Sequence, residues 1–220
     1  MIRELRMRHN FLSKFIAFIA VFTAVGVICM CKYNVRLSVD EYSSYQCYAV
    51  GDISIMEVHF IDVGQGDCTL ITCDGEAMLI DAGGNSKGTA IQMYLMKHDI
   101  DRLEYVIGTH PDEDHIGGLD VIITKFDCDM IMMPDCENGS ASYRDLKDAT
   151  EYKNYTVTSP VPGDSYSIGS AEFTIIAPNG QYEGTNNNSN SIVWRLYFYF
   201  QGEKYRCTGR NFFNWFPAVL

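Results

Sequence analysis

Thr109-His110-Pro111-Asp112-Glu113-Asp114-His115-Ile116-Gly117-Gly118-Leu119 gathers two imidazoles, His110 and His115, and two carboxylates, Asp112 and Asp114, within six residues. Imidazole suits zinc, iron and manganese, and carboxylate suits harder ions, so a mixed set closing on a glycine turn predicts one or two divalent cations. The flanking residues give the set a position. Leu103 to Thr109 is an apolar run bounded by charges before it and Pro111 after it, which predicts a short buried strand. Gly117-Gly118 permits a sharp turn, and Leu119 to Phe126 has helical apolar spacing. The ligands are therefore expected at the C-terminal end of a strand, on a strand-to-helix loop, where layered α/β folds carry sites. A capped helix N-terminus without metal is the plainer reading of the same residues.

Upstream, Ile55 to Val63 is β-rich and stops at Gly64-Gln65-Gly66-Asp67, and Cys68 to Thr72 and Ala77 to Ile80 follow as further strands. Asp81-Ala82-Gly83-Gly84 closes the third strand, and Thr89 to His98 has helical spacing. Beside glycine, turn capping is the ordinary role of Asp62, Asp67 and Asp81.

The first fifty residues differ in character. Phe15 to Cys31 carries no charge and follows Arg3, Arg6, Arg8 and Lys14. A run of that length suits an uncleaved signal anchor better than a signal-peptide core of about 7 to 15 residues. The positive flank then puts residues 1–14 in the cytoplasm, 15–32 across the membrane, 33–52 in a polar spacer and a domain of 53–220 outside the cell. A cleaved signal peptide and a secreted domain is the alternative. The anchor region holds six of the 17 basic residues and one of the 28 acidic ones, so residues 37–220 keep 11 against 27, formally −16. Such a balance argues against a non-specific electrostatic grip on a phosphate backbone. Among eight cysteines none stands in a C-x-x-C pair; ordinary buried thiols are expected, with a Cys128 to Cys136 bridge left open.

In this order and spacing, Phe60-Ile61-Asp62-Val63-Gly64-Gln65-Gly66-Asp67, Leu79-Ile80-Asp81-Ala82-Gly83 and the segment from Thr109 to Leu119 resemble the metallo-β-lactamase superfamily. They are most similar to its ComEC-like branch, which includes the extracytoplasmic hydrolase domain of competence DNA-uptake proteins. The resemblance covers residues 55–209 and implies an αββα sandwich of the α/β class. It further implies His110 and Asp112 on a first metal and Asp114 and His115 on a second, zinc or manganese, with Asp114 also catalytic. Asp67, Asp81, Asn188 and Ser191 become residues that anchor loops behind the ligands. The implied activity is hydrolysis by metal-activated water, of a phosphodiester such as nucleic acid, by a domain tethered to the cell membrane. No protein partner is inferable.

One departure stands against the pattern. The family's strand ends in Thr-Gly-Asp, whose Asp bridges two metals, whereas this chain reads Cys207-Thr208-Gly209-Arg210 and has no later histidine. A cation at a bridging position repels each ion by several kcal/mol at about 4 Å even with surface-like screening. The expectation from Arg210 is a domain incomplete at its C-terminus. One functional alternative is a single-metal enzyme, and another is a catalytically impaired fragment or non-catalytic binding module.

Overall fold

Strands in the core of this protein read as continuous apolar runs because both of their faces are covered. In the computed structural model, side chains are described for residues 55–178, 190–198 and 206, and strand backbone also for 35–39, 45–50, 199–200, 203–205, 207–209 and 216–217. One sheet holds eight strands in chain order: β1 (Val35–Val39), β2 (Tyr45–Val50), β3 (Ile55–Phe60), β4 (Thr69–Cys73), β5 (Glu76–Ile80), β6 (Arg102–Ile107), β7 (Asp127–Met132) and β8 (Val157–Thr158). From β2 to β5 the pairing is antiparallel, and from β5 to β8 it is parallel. The switch at β5 follows from the connections. Asp74-Gly75 turns β4 directly into β5 with positive φ at both residues, whereas β5 reaches β6 through a helical crossover.

Four helices fill the crossovers: α1 (Gly88–Lys97), α2 (Glu113–Ile116), α3 (Leu119–Lys125) and α4 (Ala141–Tyr152). Ile91, Tyr94 and Leu95 of α1, Leu119, Ile122 and Ile123 of α3 and Leu146 of α4 join Leu70, Ala77 and Leu79 of the sheet in one core. Ser140 caps α4 by accepting a hydrogen bond from the Tyr143 amide. The second sheet runs β13 (Phe216–Pro217), β12 (Glu203–Gly209), β11 (Val193–Phe200), β10 (Ala171–Ala177), β9 (Ser165–Ile168) and is antiparallel throughout. Tyr105 ties the sheets together: its ring packs edge-on to Phe173 at 5.0 Å and its hydroxyl donates to the Ser167 carbonyl at 2.9 Å. The described residues thus supply a helix layer and two sheets of the expected αββα sandwich.

The structure adds detail at two places. Tyr45–Val50, placed in the spacer of residues 33–52, pairs with β3 in unbroken register from Tyr45 with Phe60 to Val50 with Ile55, so that part of the stretch belongs to the sheet. Its alternation of Tyr45, Cys47 and Ala49 with Gln46, Tyr48 and Val50 hides the strand, because the first set is only weakly apolar and the second mixes an amide with Tyr48 and Val50. The bridge left open between Cys128 and Cys136 is not formed, and Cys68, Cys73, Cys128 and Cys136 are all free thiols. Burial pushes the Cys128 thiol up to about 12, as suits an inert core sulfur. The expected anchor at 15–32 lies outside the described residues, as do Asn188 and Arg210; among the described residues no helix is long and apolar enough to cross a membrane.

Candidate metal centre

Each ligand candidate is placed by the end of a strand. β5 stops at Ile80, and Asp81 enters the left-handed region at φ +57° while its amide still bonds the Ile107 carbonyl at 2.8 Å. That twist turns the Asp81 carboxylate toward the end of β6. There Oδ1 accepts from the Thr109 amide at 2.8 Å, and Oδ2 accepts from the Thr109 hydroxyl at 2.7 Å and from His115 Nδ1 at 2.8 Å. His110 follows on the strand end, its Nδ1 3.0 Å from Thr109 Oγ1. Pro111 then stops the strand, Asp112 caps α2 in an extended conformation, and one helical turn delivers Asp114 and His115.

Other loops are stitched to this turn through the backbone. The Ala82 amide bonds the His115 carbonyl at 2.7 Å, the Gly83 amide the Asp67 carbonyl at 3.0 Å, and the Asp67 amide the Asp114 carbonyl at 3.3 Å. Gly66 makes the last approach possible, because at φ +108° a Cβ would stand 1.9 Å from the Asp114 carbonyl oxygen. A further segment arrives from the second sheet: the Ile192 amide donates to the Thr109 carbonyl at 2.9 Å, placing buried Ser191 next to the site.

The structure therefore brings His110, Asp112, Asp114, His115, Asp67, Asp81 and Ser191 to one locus. The two imidazoles lie 3.9 Å apart between centroids, and His110 Nε2 is 3.4 Å from Asp112 Oδ2. Gln65 Nε2 reaches Asp114 Oδ2 at 3.4 Å. Asp67, Asp81 and His115 each bring a donor atom within 4.8 Å of the others, a set able to hold an ion. Within it Asp81 has committed both oxygens to Thr109 and His115, so its share is to hold the imidazole, whereas Asp67 is 40% exposed and stands 3.8 Å from His115 Nδ1. Two buried imidazoles backed by carboxylates, with Asp112 and Asp67 at the solvent side, fit a borderline divalent ion.

Electrostatics agrees with a site that wants positive charge. Burial opposes protonation of His115, but the hydrogen bond and charge of Asp81, with Asp67 and Asp114, outweigh it and raise its pKa. Burial and the neighbouring His115 lower that of His110. Burial, together with Asp81 and Asp114 and against the pull of His115, raises Asp67. His59 lies elsewhere, buried on β3 between the Tyr94 hydroxyl at 2.8 Å and Glu57 at 3.2 Å, and His98 caps α1. Thr109 and Gln65 were not singled out as site residues by sequence, although Thr109 directly precedes the first histidine; a hydroxyl's partners depend on where a distant strand ends.

Comparison with known proteins bears on the same residues. Residues 61–135 match the model of the Metallo-beta-lactamase superfamily. Over 156 residues the chain is 24% identical to ComE operon protein 3 of Bacillus subtilis, covering 63% of this chain and 20% of that protein. Over 142 residues it is 27% identical to Recombination protein 2 of Haemophilus influenzae, covering 62% and 16%. Among solved structures Rm3 metallo-beta-lactamase superposes with a TM-score of 0.50 at 14% identity, over 69% of this chain and 57% of that one. The chain carries a metallo-beta-lactamase domain with ComEC-like relatives, and it spans a fifth or less of the length of either curated relative.

Proposed function

We propose that this metallo-beta-lactamase domain is a metal-dependent hydrolase of phosphodiesters, DNA among them, held outside the cell by an N-terminal membrane anchor. Two features support the reading: the ComEC-like relatives, and the convergence of His110, Asp112, Asp114 and His115 at one strand end. The observation that carries it is the pair of buried imidazoles, each engaged at Nδ1, by Thr109 for His110 and by Asp81 for His115. That engagement directs both Nε2 atoms to the ligand side.

His110 and Asp112 are assigned to one zinc or manganese ion and Asp114 and His115 to another, with Asp67 beside them. Bound there, a divalent ion supplies a water of near-neutral pKa and a Lewis acid for the phosphoryl oxygen. With such an ion held there, Asp114 would orient the attacking water and accept its proton at the carboxylate that Gln65 approaches. Asp81 keeps the His115 ring fixed throughout, and buried Ser191 stands beside the site through the Ile192 amide that bonds the Thr109 carbonyl.

Full-length protein in detergent should hydrolyse bis(p-nitrophenyl) phosphate and DNA when loaded with zinc or manganese. Chelation and a His110→Ala, His115→Ala double variant should each abolish turnover. Two bound ions with no turnover of either substrate would sink the proposal. A second reading, a non-catalytic binding module, is favoured by Arg210 at the position of the family's bridging Asp. It requires fewer than two ions per chain by elemental analysis together with no hydrolysis.

A further inference from the structure

Thr109 Oγ1 owns a single proton and has two close partners in the buried site, Asp81 Oδ2 at 2.7 Å and His110 Nδ1 at 3.0 Å. A carboxylate only accepts, so the hydroxyl proton goes to Asp81. The hydroxyl is then left with lone pairs alone toward His110, which must itself donate from Nδ1. His115 makes the same choice directly, because its Nδ1 faces the same Asp81 oxygen at 2.8 Å.

We infer that Asp81 sets the tautomer of both histidines, of His115 by direct contact and of His110 through Thr109, which makes Thr109 a positioning residue for metal binding. Both rings are thereby held as Nδ1–H forms with the Nε2 lone pair available to a cation. The arrangement is specific to the hydroxyl. Alanine or valine at 109 would leave His110 Nδ1 without an acceptor there and let the ring take the Nε2–H form common in water, which presents a proton where the ion must bind. The Thr109 amide, which also donates to Asp81, survives every such substitution, so the loop keeps its second tie. The inference rests on the metal-site reading above for its purpose, although not for its geometry.

The test uses metal-free, full-length protein with 15N-labelled histidine at alkaline pH, where the imidazoles are neutral. Only five histidines need assignment, by single His→Gln variants. In the parent, both His110 and His115 should show a protonated Nδ1 and a lone-pair Nε2. In Thr109→Val the His110 pattern should invert while His115 keeps its own, and Thr109→Ser should restore the parent pattern. Titration with Zn2+ alone should show roughly 10- to 100-fold weaker binding in Thr109→Val, recovered in Thr109→Ser. A parent His110 protonated at Nε2 would overturn the inference without need of any variant, and so would an unchanged His110 in folded Thr109→Val. Parent tautomers as described, with Zn2+ bound by neither parent nor Thr109→Ser, would uphold the hydrogen-bond relay and remove the metal-site reading instead.

Discussion

A single carboxylate carries much of the order at this site. Asp81 is buried and accepts from the Thr109 amide, the Thr109 hydroxyl and His115 Nδ1, so replacing it strands three buried donors at once. Asp81→Ala should destabilise the metal-free protein by about 3 kcal/mol, at the high end for loss of a buried charged acceptor, read as a shift in denaturation midpoint. A loss below about 0.5 kcal/mol would mean that water replaces it fully. Gly66 bears on the opposite side of the same turn, and Gly66→Ala must move the Asp114 carbonyl or the loop itself. That variant should keep its fold, since the clash lies between surface loops, but lose zinc affinity at least tenfold; unchanged affinity would show that Asp114 tolerates the shift. The candidate ligands stood out in sequence because four of them, His110, Asp112, Asp114 and His115, fall within six positions. What joins them was not, because Asp81 and Thr109 are 28 residues apart and meet only through the parallel pairing of β5 with β6.

At the level of elements, apolar runs and turn residues were enough to find β3 to β6, α1 and α3, as each is bounded by glycine, proline or a change of charge. The helix over Thr89 to His98 begins at Gly88, where a Cβ would press on Val121 of α3, so close helix packing rather than propensity sets its start. β2 escaped detection for the opposite reason. Tyr45–Val50 sets weakly apolar Tyr45, Cys47 and Ala49 against a mixed face, a faint alternation, and its ladder with β3 is what reveals it. That ladder predicts that the amides of 46 to 50 exchange with deuterium as slowly as those of β4, with protection collapsing only under sub-global unfolding. Free exchange at the rate of a solvated peptide would return the segment to a spacer. The same pairing moves the start of the folded domain upstream of Ile53, so truncations at residue 50 would remove a covering strand and bare the backbone edge of β3.

Over the whole molecule, charge and chemistry pull in different directions. Residues 37–220 carry 27 acidic side chains against 11 basic ones, while the proposed substrate is a polyanion. Proteins that grip DNA by its phosphates release counterions and bind more weakly as salt rises, with a slope set by the number of phosphates neutralised. Under the proposed function, the positive charge that meets the scissile phosphodiester is that of the one or two ions assigned to His110, Asp112, Asp114 and His115. Recognition must then be local to the scissile phosphate, with the acidic surface repelling the rest of the strand. Raising salt from low to physiological strength should therefore leave KM for DNA unchanged or lower it, since added ions screen repulsion over about 8 to 10 Å. A small diester such as bis(p-nitrophenyl) phosphate, which reaches the site without bringing a long polyanion past that surface, should show the weaker salt response of the two. Steady-state kinetics on both substrates across a salt series decides the matter. A KM for DNA that climbs steeply with salt would reveal a basic tract acting on the strand, and the view of a site that reads one phosphate at a time would have to be given up.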